Sequence, residues 1–182
     1  MLLGLYLFFS CNSDLVPKPW GYLRLDYPEP KYQSFHEISN FSFKYNVHAR
    51  VSKATNESNY KVVYPGMKAT IYLNYNPVKK NLDSLLNDAY KLPYKHITKA
   101  ESIPEKVFIN HVNKVYGTLF SVVGNAASQH QFFLTDSTKH FLIGSVYFYA
   151  KPNYDSILPA VKYIESDLIH MIESLKWKQI TF

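Results

Sequence analysis

Apolar and polar residues alternate strictly between positions 41 and 52. Phe41, Phe43, Tyr45, Val47, Ala49 and Val51 fall on one side, and Ser42, Lys44, Asn46, His48, Arg50 and Ser52 on the other. A period of two over this length predicts a half-buried antiparallel strand. Residues 60–64 and 67–75 flank Pro65-Gly66 and read as a hairpin. In its second arm Met67, Ala69, Ile71, Leu73 and Tyr75 share a face, with Tyr72 on the opposite one. The period then changes. Leu82, Leu85, Leu86 and Ala89 stand at helical spacing behind Asn81, a good N-cap residue type, and Pro93 ends or kinks the helix. Strands follow at 106–110, 115–123, 131–135 and 140–150, the second and fourth apolar on both faces, as in strands covered from both sides. A long helix behind Asp155 closes the chain, with Ile157, Leu158, Val161, Ile164, Leu168, Met171, Ile172 and Leu175 on one stripe. Pro159 is expected in its first turn, where no intrahelical donor is lost. Ahead of all this, residues 20–27 open as a short strand that stops at Pro28-Glu29-Pro30.

These elements define an α+β fold: a single domain in which an antiparallel β-sheet packs with two main helices, one mid-chain and one C-terminal. The order helix, strands, closing helix resembles the Mog1/PsbP-like sandwich. That likeness concerns fold and carries no function.

Composition adds limits. With 182 residues one domain is expected, and 47% hydrophobic with 16% aromatic residues is enough to bury a core. One cysteine excludes a disulfide within the chain. The net charge of +6 is spread over scattered lysines, with arginine only at Arg24 and Arg50. A nucleic-acid footprint needs clustered Lys and Arg, so nucleic acid is not expected as a partner; an anionic membrane surface suits this balance better.

The search for catalytic chemistry returns little. There is no G-x-S-x-G, no P-loop and no G-x-G-x-x-G. His36-Glu37 starts like a zinc-protease helix, but Asn40 stands where the second ligand belongs. The seven histidines include no i, i+4 pair, and a hairpin centred near Asp136-Ser137 does not bring His130 opposite His140. Neither a metal site nor a cofactor is expected, and no pair of carboxylates marks a hydrolase, so the reading is non-enzymatic. What is left is aromatic. Tyr60, Tyr64, Tyr72 and Tyr75 cluster on the hairpin and form the candidate ligand or partner surface, since tyrosine faces stack sugars and anchor proteins. The competing account is that tyrosine simply fits half-buried strands.

The amino-terminal stretch Met1-Leu2-Leu3-Gly4-Leu5-Tyr6-Leu7-Phe8-Phe9-Ser10-Cys11 puts a small residue before the sole thiol, as a bacterial lipoprotein signal does. It is too short to span a bilayer, which takes about 20 residues. Each buried acyl CH₂ contributes about 0.8 kcal/mol, so several chains on Cys11 would anchor the protein stably. The expected organisation is a signal peptide at 1–10, a lipidated tether at 11–19 and the α+β domain at 20–182. No Lys or Arg precedes Cys11, so a start upstream of Met1 is expected.

Pro17-Lys18-Pro19, Gly21-Tyr22-Leu23-Arg24 and Tyr27-Pro28-Glu29-Pro30-Lys31-Tyr32 lie near one end of the chain. Gly144-Ser145-Val146-Tyr147-Phe148-Tyr149, Pro152-Asn153-Tyr154-Asp155-Ser156-Ile157-Leu158-Pro159 and Glu173-Ser174-Leu175-Lys176-Trp177 lie near the other. Together they resemble the gliding-motility lipoprotein GldD family of Bacteroidetes. The resemblance implies a lipid anchor at Cys11, a membrane location in the cell envelope, and contacts with other gliding-motility proteins and the associated type IX secretion machinery. Asn12-Ser13-Asp14 holds one acid where surface-export signals carry an acidic run, so a periplasm-facing anchor is expected. Asp83-Ser84-Leu85, Asp136-Ser137-Thr138 and Asp155-Ser156-Ile157 match the short O-glycosylation pattern of these bacteria, with Ser137 the most accessible site. The alternative function is a glycan- or small-ligand-binding lipoprotein that uses the tyrosine-rich sheet surface.

Overall fold

The computed structural model describes residues 26–35, 39–54, 58–95, 97–149 and 153–178. Its first strands are β1 (Tyr32–Ser34), β2 (Phe41–Ser42), β3 (Lys44–Asn46), β4 (Arg50–Lys53), β5 (Asn59–Tyr64) and β6 (Ala69–Pro77). Helix α1 (Leu82–Tyr94) leads to β7 (Ala100–Ser102), β8 (Glu105–Asn110), β9 (Val115–Ser121), β10 (Val123–Gly124), β11 (Ser128–Thr135) and β12 (His140–Phe148). Helix α2 (Tyr154–Ser174) and β13 (Lys176–Trp177) close the chain.

Seven strands form one antiparallel sheet in the order β4-β5-β6-β12-β11-β9-β8. Two meanders meet where β6 pairs β12, so the central strands come from distant parts of the sequence. All eight residues of β11 are buried. Along it Phe132 and Leu134 join the core under α2, which contains Val161, Ile164, Leu168, Met171 and Ile172. Phe133 points the other way, into a smaller core with Phe120, Phe141 and Ala89 of α1. The two helices therefore cover opposite faces, and the sheet is the middle layer. The apolar stripes expected of both helices are the faces that pack.

Central packing demands small residues at particular pairings. Gly144 of β12 lies opposite Phe132, and a Cβ there would stand 2.1 Å from the Phe132 ring. The ring thus fills the space a side chain would take.

The long strand expected at 41–52 is broken. Phe41 and Phe43 point inward as the alternation says, but Asn46 turns in and Val47 turns out. The reason is local and chemical. His48 N–H donates to Asn46 Oδ1 at 3.0 Å and Ala49 N–H to the Asn46 carbonyl at 3.0 Å, closing a turn after β3. Asn46 Nδ2 then reaches Asp167 Oδ2 at 2.9 Å and the Tyr163 hydroxyl at 2.8 Å. Asp167, 2% exposed on the buried stripe of α2, also accepts from Tyr32 and Tyr64 hydroxyls at 2.8 and 3.0 Å. Burial, with the Asp167 carboxylate beside them, pushes both phenols up in pKa. Strands β1 and β3 pair with each other, and β2 with β13, outside the main sheet.

Other expectations need correcting at helix starts. Asn81 does not cap α1 with its side chain; its Oδ1 instead accepts from Lys79 N–H at 2.7 Å. Helix α2 begins at Tyr154 behind Asn153, which places Pro159 in its second turn. The carbonyl of Asp155 thereby loses its usual donor four residues on. The strand expected at 20–27 lies almost entirely outside the described residues.

Candidate functional site

Helix α1 covers part of one face of the sheet, packing over Phe120, Phe133 and Phe141. Where β6 and β12 continue past the helix, a cleft of about 580 Å³ opens, lined by Tyr72, Asn74, Gln129, Ser145, Tyr147 and Tyr149 among others. The period-two rule builds this wall. Tyr72 and Asn74 point away from Ile71 and Leu73 in the main core, and the pairings Ser145↔Tyr72 and Tyr147↔Thr70 set β12 residues beside them. Tyr147 meets Tyr72 edge-on at 5.7 Å and 80°. The Tyr72 and Tyr149 hydroxyls lie 2.6 Å apart, and Lys61 Nζ stands 5.4 Å from the Tyr72 ring centre. That shared hydrogen bond raises the Tyr72 phenol above its usual pKa and lowers that of Tyr149. Gln129 spends its amide N–H groups on the Gly124 and Ala126 carbonyls, and its Oε1 has no partner among the described residues. Rings with amide and hydroxyl groups around them can stack and hydrogen-bond a neutral polar ligand.

Of the tyrosines singled out from the sequence, only Tyr72 lies here. Tyr60, Tyr64 and Tyr75 are 1%, 2% and 6% exposed and belong to the core under α2, so they form no surface. The register gives the reason: Tyr60 faces Leu73 and Tyr64 faces Ala69, both inward. Tyr147 and Tyr149, 39% and 61% exposed, take their place. Their position two residues apart, out of phase with Val146, was the available signal.

His130 is buried, and the half-buried Ser121 and Glu165 lie beside it. Ser121 Oγ is 3.2 Å from His130 Nδ1 and donates to Glu165 Oε1 at 3.1 Å, while His130 Nε2 is 3.3 Å from the Val161 carbonyl. In a nucleophilic triad the imidazole stands between hydroxyl and carboxylate. Here the hydroxyl stands between the other two, and the ring is 1% exposed. This arrangement is a packing network. His140 is buried elsewhere, its Nδ1 2.8 Å from the Tyr75 hydroxyl. Among the described residues no three His, Cys, Asp or Glu side chains converge as metal ligands.

Ser137 is exposed at the β11–β12 turn, with φ 65°. Cys11, His36 and Glu37 lie outside the described residues. Among those described, no helix is long and apolar enough to cross a membrane.

The fold defines an α+β domain with an open cleft beside Tyr72. The family model of the gliding motility lipoprotein GldD matches residues 12–177, nearly the whole chain, and the chain belongs to that family. It is thus a lipoprotein related to gliding motility and placed by its family at a membrane of the cell envelope. No curated protein and no solved structure matches it.

Proposed function

We propose that the protein is held at a membrane by lipid on Cys11, faces the periplasm, and serves the gliding machinery and its type IX secretion apparatus as a non-enzymatic component. One observation carries this reading: the match to a lipoprotein family begins at residue 12, directly after the sole cysteine. In this reading 1–10 is the signal, 11–19 the tether and 20–182 the working domain. The domain would meet neighbouring envelope proteins through the edge strand β8 and its turn, where Val107, Ile109 and Val112 stand exposed.

Metabolic palmitate labelling with membrane fractionation tests the anchor. Wild type should take up label and sediment with membranes, and Cys11→Ser should do neither. Unlabelled, soluble wild-type protein would remove the anchor. Normal colony spreading in a deletion strain would remove the motility role.

A second reading, binding of a glycan or other small neutral ligand, is favoured by the cleft around Tyr72, Tyr147 and Tyr149. It differs from the first in requiring a ligand that Tyr72→Ala abolishes.

A further inference from the structure

The turn between β8 and β9, the turn between β11 and β12, and strand β13 meet at one corner of the sheet. They enclose a separate cleft of about 600 Å³ whose wall includes Lys114, Lys139, Lys176 and Lys178. Asp136 is the one acid among its lining residues, and both of its oxygens are committed to the turn. Oδ1 accepts from the N–H groups of Thr138, Lys139 and His140 at 2.9, 2.7 and 2.8 Å, and Oδ2 from the Thr138 hydroxyl at 2.8 Å. Lys114, Lys139 and Lys176 are exposed and have no carboxylate partner among the described residues.

The walls are fixed. The Trp177 indole stacks on His140 with centroids 5.0 Å apart and planes 7° from parallel, and its Nε1 donates to the Lys114 carbonyl at 3.0 Å. Lys114 and Ser137 both hold the left-handed backbone region, φ 51° and 65°, which residues other than glycine rarely adopt. Such strain persists where surrounding contacts impose it. Here those contacts set cationic side chains from three segments around one space.

We propose that this cleft binds a phosphoryl group, carried either by a soluble phosphorylated compound or by a lipid headgroup. Four lysines against one carboxylate leave the lining with an excess of positive charge, and a phosphate bound among them offsets it. Lysine ammoniums bind phosphate as point charges, whereas arginine adds a bidentate fork. Arg50, the arginine among the described residues, sits on β4 at the opposite edge of the sheet. The volume falls within the roughly 300–1,000 Å³ of small-ligand sites. The Trp177–His140 stack supplies a flat wall for the body of the ligand.

The test uses the full chain carrying Cys11→Ser, read by tryptophan fluorescence and amide NMR. The probes are inorganic phosphate, glycerol 3-phosphate, and vesicles of phosphatidylcholine with or without phosphatidylglycerol. Wild type should bind a phosphorylated probe saturably, and the double variant Lys139→Gln/Lys176→Gln should bind at least tenfold more weakly with an unchanged melting curve. Lys91→Gln/Lys95→Gln, which removes the same charge from exposed positions at the end of α1, should stay within twofold of wild type. Saturation by glycerol 3-phosphate identifies a soluble ligand; a response confined to phosphatidylglycerol vesicles identifies a headgroup. The proposal is overturned if no phosphorylated probe binds up to millimolar concentration, or if both double variants weaken binding equally.

Discussion

Asn46 donates from Nδ2 to Asp167 Oδ2 across 2.9 Å of protein interior, and both side chains are buried. The carboxylate is held by Tyr32, Asn46 and Tyr64, with no cation among those bonds. Asp167→Ala removes the common acceptor of all of them and strands buried donors. A loss of about 3 kcal/mol is expected, visible as a lower urea midpoint. Asp167→Asn keeps one acceptor oxygen and should fall between the two, whereas equal stability of all three proteins would show that the network contributes nothing.

Gly144 and Phe132 form a close pair of another kind. Gly144→Ala would drive a methyl group into a ring that is 2% exposed, at an expected cost of about 2 kcal/mol. Adding Phe132→Leu should recover part of that loss, a coupling that a double-mutant cycle measures. Gly117→Ala should have no such remedy, because its Cβ would meet the Phe133 backbone oxygen at 1.9 Å. If Phe132→Leu rescues neither or both, the steric assignment is wrong.

Burial lowers the pKa of His130, against the opposing pull of Glu165, and burial also lowers that of His140. Both rings therefore stay neutral in the fold at pH values where the unfolded chain begins to protonate. Between the lowered folded values and the usual 6.5 the unfolded state binds more protons, so stability rises with pH there. Lowering the pH from 7.5 towards 5 in thermal unfolding experiments should lower the melting temperature, mostly below about pH 6.5. His130→Gln should flatten that slope, and an unchanged slope would count against the assignment.

Tyr149 is held below its usual pKa chiefly by the hydrogen bond it shares with the Tyr72 hydroxyl. Tyr72→Phe should move its titration upward, followed by phenolate absorbance, with the fold unaltered. Tyr72→Ala then separates the two functional readings. Loss of glycan binding by a folded variant supports the ligand-binding reading, and a wild-type protein that binds no glycan on an array leaves the machinery component alone.

The helix stripes and the hairpin were legible because each depends on residues close in sequence and on one period. The α+β class followed from them. The break after Asn46 was not legible, since alternation assigns that residue outward and its partners lie beyond residue 160. The tyrosine surface differs from the expected one for a related reason. Tyr60 and Tyr64 sit near Tyr72 along the chain, but cross-strand register sends them to the other face. Tyr147 and Tyr149 reach Tyr72 only through the β6–β12 pairing, which no local pattern announces. The lysine corner is hidden in the same way, drawn from segments around residues 114, 139 and 176.

The Asp167 network also sets an order of events in time. Its bonds join residues 103 to 135 positions apart, from Tyr32, Asn46 and Tyr64 to the last helix. Closing such long loops is slow. A chain still being made, or still threading through a pore, cannot satisfy Asn46 until residue 167 has arrived. The amino-terminal half would stay soft until then, and a chain cut short before α2 would have no way to finish folding.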